Sequence, residues 1–582
     1  MILPVGDRAL LVELGDIRTV MDWHAHLERR PLPGQVEVIA AANTVLIAFQ
    51  SPGTARAARR AVAQLRPGKR RELAGKTVTI DVVYDGPDLP ELAEHMGLSP
   101  EALIEQHSSQ GWVAAFGGFA PGFTYCVADP AQGRGTPSPV GLPRQVPRRD
   151  NPRTAVPAGS VALAGPFSAV YPRQSPGGWQ LIGRTNAPMW NPKGEDQGSP
   201  SLLSPGDQVR YRPVRGLVRV DTGPGAERSG DSEGAQSGGA ADQPAGEEPD
   251  NGSRSAAVEI LDPGLLSLLQ DRGRPGYGDL GVTTSGACDR DSAWVANDVL
   301  GNPSSAAVIE NIGGCTLQAR ADVVVCVTGA LATVRTGRAG AARQLAASSP
   351  AGVGKTQAAR AILLREGQVL RVEPWGQDAP GPGPGLRHYI AVRGGFRGHP
   401  ILGSLSRDTL ADLGPAPLSA GDTLGVGGAG ALKPVGPPAV NPVAARAHAC
   451  PEGPVVLRCV VGPRPDWFAP GEVERFAAMR WVVTPKSNRV GLRLALPGSP
   501  RPLQRAAGAE LPSEGMVPGS VQVPPSGLPV VFLADHPVTG GYPVIATVIA
   551  EDMGLAGQLA PGDAVSFQLL PAEPVTEHTN PP

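Results

Sequence analysis

The chain has 582 residues, a length typical of about four domains, and its 52 basic and 54 acidic side chains nearly balance. It has no basic stretch with interleaved aromatic residues, which disfavours nucleic acid as a partner. Charged residues interrupt the N-terminal stretch, and no apolar run of about 18 residues occurs, so we expect no signal sequence and no membrane partner. The six cysteines lack metal-binding spacing, which predicts reduced thiols, a cytoplasmic location and no metal site.

The first part of the chain alternates between strand and helix patterns. Periodicity predicts strands at 9–14 and 44–49 and helices at 21–29 and 54–65. This alternation is typical of a small α+β domain, which we place at residues 1–76.

The next segment, residues 77–222, changes character along its length. It opens with a strand pattern at 77–84, and capping signals frame two short helices. Beyond residue 112, proline and glycine break short apolar runs about every ten residues. That pattern favours a β-barrel or a β-sandwich.

Residues 223–256 differ in composition from the rest of the chain. They contain no aromatic or large aliphatic side chain, so they cannot bury enough surface to fold. We predict a disordered linker, long enough for two folded halves to dock on each other. Short strand patterns return in two predicted β-rich domains, at 257–450 and 451–571, and a frayed tail is expected at 572–582.

An internal repeat links the two halves. Three motifs recur in the same order on each side of the linker, which predicts two related β-barrels. The motifs are Pro157-Ala158-Gly159-Ser160-Val161, Gly177-Gly178-Trp179 and Pro205-Gly206-Asp207, followed in the second half by Pro518-Gly519-Ser520-Val521, Gly540-Gly541-Tyr542 and Pro561-Gly562-Asp563.

The glycine pairs of this repeat have two interpretations. Glycine before an aromatic strand makes a tight turn, or it lets a ligand approach the backbone closely. Pro-Gly-Asp, in contrast, needs only a turn. The candidate ligand contacts are Ser175, Gly177, Gly178, Thr539, Gly540 and Gly541.

Two stretches of the first half could also contact a substrate. Three aromatic residues within 118–125 are either core packing at a bend or a rigid wall for a flat molecule. Arginines at 148, 149 and 153 are either an exposed loop or a site for carboxylate or phosphate oxygens.

In the second half, polar and apolar residues alternate from Ser487 to Arg493. This alternation predicts a strand that carries Ser487, Arg489 and Arg493 on one face. On the inner face of a barrel the two arginines would require an anion, whereas on the outer face they would need none. Asp535 and His536 offer a carboxylate and an imidazole for acid–base chemistry, or serve only the structure.

Residues 352–356 end like a phosphate-binding loop. The full pattern needs glycine where Ser349 stands, and no apolar strand precedes the motif. We therefore expect no nucleotide-binding motif in this chain.

Several longer motifs carry a family resemblance. They include Gly118-Phe119-Ala120-Pro121-Gly122-Phe123 and Ile182-Gly183-Arg184-Thr185 in the first half, and Gln270-Asp271-Arg272-Gly273-Arg274-Pro275-Gly276, Ser487-Asn488-Arg489 and Thr539-Gly540-Gly541-Tyr542-Pro543 in the second. The first half resembles allophanate hydrolase subunit 1, also known as the B subunit of bacterial ATP-dependent 5-oxoprolinase. The second half resembles allophanate hydrolase subunit 2, also known as the C subunit, so the chain looks like a fusion of the two.

The resemblance implies a mainly β fold with α+β parts, in which each half ends in a cyclophilin-like barrel. It also implies ATP-dependent opening of 5-oxoproline to glutamate, with magnesium, together with a separate A subunit of the LamB/YcsF type. A homo-oligomer stays open. Two alternatives also stay open: the carboxyltransferase component of a biotin-dependent urea or amide carboxylase, and a binding module that regulates a kinase.

A lactam is a poor electrophile, so coupling to ATP suggests that the amide oxygen is phosphorylated before water attacks. Such a site needs guanidinium groups for the negative charges and a base for the water. We expect these groups to line one pocket where the halves meet. The anion-binding candidates are Arg148, Arg149, Arg184, Arg489 and Arg493, with Ser487 and Asn488 beside them, and the base is Asp535 or His536.

Overall fold

The computed structural model describes residues 1–68, 75–129, 146–149, 153–192, 199–217, 257–338, 343–344, 358–375, 385–428, 432–449, 453–498, 501–506 and 511–571. The predicted linker at 223–256, the predicted tail at 572–582 and the motif at 352–356 lie outside the described residues. The domain boundaries therefore stay predictions. None of the described helices has the length and apolar character needed to cross a bilayer.

The N-terminal part is an antiparallel sheet with two helices. Each helix begins at a capping side chain: the Asp16 carboxylate accepts hydrogen bonds from two backbone N–H groups, and Ser51 forms a reciprocal capping box with Thr54. The elements are β1 (Ile2–Val5), β2 (Ala9–Glu13), α1 (Ile17–Arg29), β3 (Gln35–Ala40), β4 (Thr44–Phe49) and α2 (Pro52–Gln64). The sheet order is β1-β2-β4-β3. This is the α+β arrangement that the alternating patterns predict.

The rest of the first half is a nearly closed barrel. Its elements are β5 (Thr77–Val82), α3 (Leu89–His95), α4 (Pro100–Ser109), β6 (Trp112–Gly118), β7 (Ala120–Ala128), β8 (Arg153–Val156), β9 (Ser160–Ala164), β10 (Phe167–Val170), β11 (Ser175–Gly177), β12 (Gln180–Arg184) and β13 (Gln208–Pro213). Seven strands follow the order β12-β9-β10-β7-β6-β13-β5. A bridge between Val83 and Arg184 brings the two ends of this sheet together.

The second half opens with two sheets that enclose one apolar core. Helix α5 packs on strands of the five-stranded sheet. The elements are β14 (Val258–Asp262), β15 (Leu266–Gln270), α5 (Arg290–Val299), β16 (Val308–Ile312), β17 (Cys315–Ala319), β18 (Val323–Gly329), β19 (Ala332–Arg338), β20 (Arg343–Gln344), β21 (Ala358–Ala359), β22 (Ile362–Leu364), β23 (Gln368–Pro374), β24 (Arg387–Val392), β25 (Thr423–Leu424), β26 (Ala439–Val440) and α6 (Pro442–Ala449). The sheet orders are β20-β19-β23-β17-β14-β25 and β15-β16-β24-β18-β22.

The chain ends in a second barrel, which is closed. Its elements are β27 (Val455–Val461), α7 (Glu472–Ala478), β28 (Trp481–Val483), β29 (Gly491–Ala495), β30 (Glu514–Gly515), β31 (Ser520–Gln522), β32 (Val530–Phe532), β33 (Thr539–Gly540), β34 (Val544–Val548), α8 (Met553–Ala556) and β35 (Ala564–Leu569). The strand order is β27-β34-β31-β32-β29-β28-β35.

The two barrels share one topology, strand for strand. In each barrel the last strand pairs in parallel with the first strand, so Gln208 lies opposite Thr77 and Val565 lies opposite Val455. The neighbour on the other side of that last strand is antiparallel in both barrels. The predicted pair of related barrels is therefore confirmed.

The repeated motifs occupy matching places in the two barrels. In the Pro-Gly-Asp turns, the Asp207 carboxylate accepts a hydrogen bond from the N–H of Ser204 at 2.9 Å, and Asp563 accepts one from Ala560 at 2.8 Å. These hydrogen bonds hold the turn that leads into the last strand of each barrel. The motif is a structural turn, as the sequence predicts.

Candidate functional site

The two halves meet where the aromatic segment of the first barrel contacts a hairpin of the second. The backbone N–H of Phe119 donates to the hydroxyl of Thr539 at 3.1 Å. A Cβ added to Gly118 would stand 2.5 Å from that hydroxyl oxygen. The φ of Phe119 is 58°, a left-handed conformation that bulky residues rarely adopt and that is concentrated at functional sites. The expected docking of the halves is confirmed, and the junction is closely packed.

Five aromatic side chains form the first half's side of this junction. Their rings pack edge to face, with centroids 5.1 Å apart for Phe123 and Tyr171 and 5.5 Å apart for Tyr125 and Trp179. These four side chains are buried, and Phe119 is partly exposed. The aromatic stretch is therefore core packing that also supports the junction.

Tyr125 connects the aromatic cluster to the second half. Its hydroxyl lies beside the side chains of Ser513 and Thr539. Burial raises the pKa of Tyr125, and the positive charge of nearby Arg148 opposes this rise. Arg148 is exposed, and its positive charge also opposes the rise that burial causes in the pKa of Tyr171. This predicted anion-binding residue therefore lies beside the junction.

The glycines of the repeated pairs make room for neighbouring protein atoms. A Cβ at Gly177 would lie 2.2 Å from the Tyr171 hydroxyl, and one at Gly540 would lie 2.7 Å from Nε2 of Gln522. Close approach is thus required, as one interpretation of the motif holds, but the approaching atoms belong to the protein. The same two segments contain Ser175, Gly178 and Gly541.

Three other arginines that the sequence analysis singles out in the first half are held by carboxylates. Arg149 and Arg153 both contact Asp88 at 2.6 Å. Burial would raise the pKa of Asp88, but the hydrogen bonds and charge of these arginines outweigh it, and the pKa is lowered. Arg184 lies on the surface, 2.8 Å from Asp85. Arg149 and Arg184 are therefore paired with carboxylates of the first half.

Arg489 is the centre of a buried ion network in the second half. Its guanidinium contacts Asp535 through Nε at 2.9 Å and Nη2 at 2.8 Å, and contacts Glu310 through Nη1. Asp535 also accepts hydrogen bonds from the Ser285 hydroxyl at 2.6 Å and from the N–H and hydroxyl of Thr409 at 2.9 and 2.8 Å. Burial would raise the pKa of Asp535, but Arg489 holds it below its usual value. Because Glu310 lies on β16, the network joins the two-sheet domain to the last barrel.

His536 follows Asp535 but has different surroundings. Its Nδ1 lies 2.9 Å from the carbonyl of Pro537 and therefore carries the proton, while Nε2 lies 3.4 Å from the hydroxyl of Thr283. Burial lowers the pKa of His536 to about 4, so the imidazole is uncharged at neutral pH. Asp535 is saturated with hydrogen bonds. The catalytic roles of both residues stay a prediction that this geometry does not favour.

We expect His536 to make the protein less stable in mild acid. The pKa of His536 is about 4 in the folded protein and about 6.5 in the unfolded chain. The contribution of the uncharged imidazole to the free energy of unfolding is therefore present above pH 6.5 and is lost as the pH falls towards 4. Between pH 7 and pH 5 this loss is about 2 kcal/mol. We expect His536→Gln to reduce, by that amount, the difference in the free energy of unfolding between pH 7 and pH 5, as measured by urea denaturation at both pH values. An unchanged difference would contradict the lowered pKa of His536.

Arg489 and Arg493 do not share a strand face. Strand β29 begins at Gly491, so Arg489 precedes it and is buried, whereas Arg493 is exposed. The side chain of Asn488 accepts a hydrogen bond from a backbone N–H two residues later, and the Ser487 hydroxyl accepts one from the N–H of Arg493 at 3.0 Å. This turn breaks the alternation, so the prediction that Ser487, Arg489 and Arg493 lie on one strand face is wrong. The five nominated arginines are consequently not brought together in one pocket.

A cavity of about 380 Å³ lies beside the junction, between the N-terminal sheet and the last barrel. The side chain of Arg464 lines it and pairs with Glu514 and Glu13, one partner from each half. Burial raises the pKa of Glu514 in spite of the opposing charge of Arg464. Ser513, which lies beside Tyr125, also lines the cavity. The remaining lining comes from residues 14, 43, 44, 467, 511 and 512.

Among the described residues, a further contact between the halves contains metal-ligating atoms. His24 and Glu28 of α1 and Asp279 of the second half place such atoms within 4.8 Å of one another. Nε2 of His24 lies 2.7 Å from Asp279. Nearby, Glu37 accepts a hydrogen bond from the N–H of Gly278 at 2.9 Å. The sequence predicts no metal site, and spacing along the chain could not reveal a group assembled from both halves.

The sequence does not point to the charged residues of the cavity. Glu13 and Arg464 are 451 positions apart, and no motif marks either one. Ser285 begins Ser285-Gly286-Ala287, a further motif of the second half on which the resemblance rests, so its neighbourhood could have been nominated. Glu310 and Thr409 carry no such signal.

The chain is thus a double-barrel protein, in which two barrels of the same topology dock on each other. The family described as carboxyltransferase domain, subdomain C and D, matches residues 1–203, and the one described as subdomain A and B matches residues 280–569. This chain belongs to the carboxyltransferase-domain family. Each of its halves is similar to one of the subunits of 5-oxoprolinase.

The curated relatives match the two halves separately. The 5-oxoprolinase B subunit of Escherichia coli O157:H7 is 35% identical over 222 residues, which are 36% of this chain and 94% of that protein. The 5-oxoprolinase C subunit of Escherichia coli strain K12 is 29% identical over 314 residues, which are 53% of this chain and 90% of that protein. Urea amidolyase of Lachancea kluyveri is 28% identical over 54% of this chain but only 17% of its own length.

A solved structure matches nearly the whole chain. The crystal structure of TTHA0988 is 31% identical, covers 96% of this chain and 99% of that chain, and has a TM-score of 0.71. The arrangement of both halves in one polypeptide is therefore shared with a protein of known structure.

Proposed function

We propose that this chain is a fused B and C component of an ATP-dependent 5-oxoprolinase, which opens 5-oxo-L-proline to L-glutamate together with a separate A subunit. The observation that carries the proposal is the tandem match, since the chain spans nearly all of the B subunit and nearly all of the C subunit of other organisms. The direct docking of the halves supports it, because two subunits that act together gain a fixed geometry when they are fused.

The reaction requires the carbon–nitrogen bond of a lactam to break. In the proposed sequence, phosphorylation of the amide oxygen makes the carbonyl carbon electrophilic, water adds to that carbon, and the ring nitrogen leaves with a proton as the amine, which gives an acyl phosphate. A second water then hydrolyses the acyl phosphate to the carboxylate of glutamate and inorganic phosphate. In the cavity beside the junction, the guanidinium of Arg464 is already paired with the carboxylates of Glu13 and Glu514.

The residues nominated for phosphoryl charge do not form a triphosphate site in the described part of the chain. Arg149, Arg184 and Arg489 are already paired with carboxylates, and Arg493 lies exposed on another surface. These donors therefore do not fit ATP with magnesium as a set. We derive no step through the nucleotide and propose that the assembled complex with its A subunit provides that site.

Reconstitution tests this proposal directly. The purified chain is mixed with a LamB/YcsF-type A subunit, ATP and magnesium, and phosphate and glutamate are measured with and without 5-oxo-L-proline. We expect the release of both products to depend on 5-oxo-L-proline and on both proteins. If neither product forms with either protein in excess, the proposed function is wrong.

A carboxyltransferase is the second candidate. The matching family models are described as carboxyltransferase domains, and one relative is a urea amidolyase. The carboxyltransferase would act with a biotin-dependent carboxylase partner. Urea-dependent phosphate release with such a partner, in the absence of activity on 5-oxo-L-proline, would favour this candidate.

A further inference from the structure

A short turn of the second half inserts into the first half. This turn, Gly278–Leu280, packs against strand β3 and against the hairpin of β6 and β7. The N–H of Gly278 donates to the carboxylate of Glu37 at 2.9 Å, and a Cβ added to Gly281 would lie 2.3 Å from the carbonyl oxygen of Ala120. Close backbone contacts on both sides therefore fix the position of Asp279, which lies between these two glycines.

Helix α1 places two further metal-ligating side chains beside Asp279. His24 and Glu28 are four residues apart, so one face of the helix carries both. An oxygen of Asp279 lies 2.7 Å from Nε2 of His24, and the ligating atoms of all three residues lie within 4.8 Å of one another. Two atoms that bind one metal ion at about 2.1 Å are at most about 4.2 Å apart. A contraction of less than about 1 Å therefore completes the site.

Negative charge is concentrated at this contact. Burial raises the pKa of Glu28, and the negative charge of Asp279 adds to the rise, while His24 opposes it. Burial also raises the pKa of Glu37 to about 7; the N–H of Gly278 opposes this rise, and the charges of Asp279 and Glu28 add to it. Three carboxylates thus share the contact with one imidazole, and a divalent cation would relieve their repulsion.

A cation can reach this group from solvent. Glu28 is exposed, and the side chain of Asp279 is 25% exposed, whereas that of His24 is only 8% exposed. An entering ion therefore meets the two carboxylates first. The group in contact with Nε2 of His24 is Asp279, itself a ligand, so a rotation of that carboxylate gives the ion access to the imidazole.

We propose that His24, Glu28 and Asp279 bind one Zn²⁺ ion, which joins the two halves of the chain. Zn²⁺ accepts three protein ligands and a water, and imidazole nitrogen with carboxylate oxygen is a usual ligand set for it. Mg²⁺ and Ca²⁺ prefer oxygen ligands alone, so the imidazole selects against them. The proposal is independent of the proposed function, because a metal that holds the halves together needs no particular substrate.

Zinc titration of the full chain, after treatment with a chelator, tests the proposal. With a chromophoric chelator as competitor, we expect one ion per chain with a Kd below about 10 μM. Mg²⁺ or Ca²⁺ at about 1 mM should not displace it. Co²⁺ bound in its place should show no thiolate-to-metal charge-transfer band, because no cysteine belongs to the site. A thiolate band, or no Zn²⁺ binding up to about 100 μM, would overturn the proposal.

Three variants test the ligands one at a time. His24→Ala, Glu28→Gln and Asp279→Asn should each weaken Zn²⁺ binding at least about tenfold, because each removes a donor. Glu28 is exposed, so its variant tests the site even where the buried His24 variant fails to fold. His26→Ala is the matched control: it removes an imidazole from the same helix but from outside the group, and binding should stay within twofold. Unchanged binding in the Glu28 and Asp279 variants would show that the site is wrong.

The Asp279 variant decides whether the ion joins the halves. If Glu28→Gln weakens binding but Asp279→Asn leaves it within twofold, the ion is held by the helix alone and the proposed link between the halves is wrong. A linking ion should also raise the Tm of the unchanged chain, and this rise should be lost in Asp279→Asn. A rise of equal size in both proteins would contradict the link.

Discussion

Replacing Arg489 with methionine should lower the free energy of unfolding by about 3–5 kcal/mol. The guanidinium is 2% exposed and contacts two carboxylates that are equally buried, so its removal leaves negative charge without compensation. Asp535 then keeps only neutral donors from Ser285 and Thr409. Glu310 retains Arg387, which lies 3.4 Å away, so the larger part of the loss falls on Asp535.

Urea denaturation, followed by a probe of the second half, measures this loss. The matched control is Arg493→Met, which removes an exposed arginine and should change the stability by less than about 0.5 kcal/mol. Adding Asp535→Asn to the Arg489 variant should restore part of the loss, because the unpaired charge disappears with it. A loss below about 1 kcal/mol in the single variant would contradict the importance of the network.

Replacing Gly117 with alanine should force the two halves apart. A Cβ at this position would lie 1.9 Å from the backbone carbonyl oxygen of Asp279 in the second half. A backbone carbonyl cannot rotate away as a flexible side chain can, so the turn that contains Asp279 has to move or the junction has to open. Overpacking of this kind usually costs about 1–3 kcal/mol, and here that cost falls directly on docking.

Small-angle scattering should report a larger radius of gyration for Gly117→Ala than for the unchanged chain. In the reconstituted assay, turnover of 5-oxo-L-proline should fall at least about tenfold, because the proposed function uses both halves in their docked arrangement. Gly15→Ala is the matched control: Gly15 belongs to the same half, and its added Cβ would have no described neighbour within 4 Å. Unchanged scattering and unchanged turnover in the Gly117 variant would show that the junction is not required.

The parts of the fold that local patterns specify could be predicted. The Pro-Gly-Asp turns recur with the same hydrogen bond in both barrels, so the repeat alone identified equivalent strands. Strand β1 was not predicted: it is only four residues long and contains Pro4, a residue that weakens a strand signal.

The site was less accessible to sequence reasoning because its residues are far apart along the chain and meet only when the chain folds. The alternation around Arg489 looked like a strand, but a turn made by Asn488 ends that alternation before the strand begins. The guanidinium groups were expected to attract a ligand, whereas folding brings carboxylates such as Asp535 and Glu310 to Arg489. Sequence separation hides such partners, since a motif search examines neighbours along the chain.

The parallel pairing of first and last strands sets the order in which the protein can be completed during synthesis. The sheet of the first barrel can close once residue 213 has left the ribosome, because β13 is the last strand it needs. The second barrel has to wait for β35, which ends at residue 569. A ribosome that stops shortly before that strand therefore releases a finished first barrel joined to an open sheet, whose unpaired edge favours aggregation.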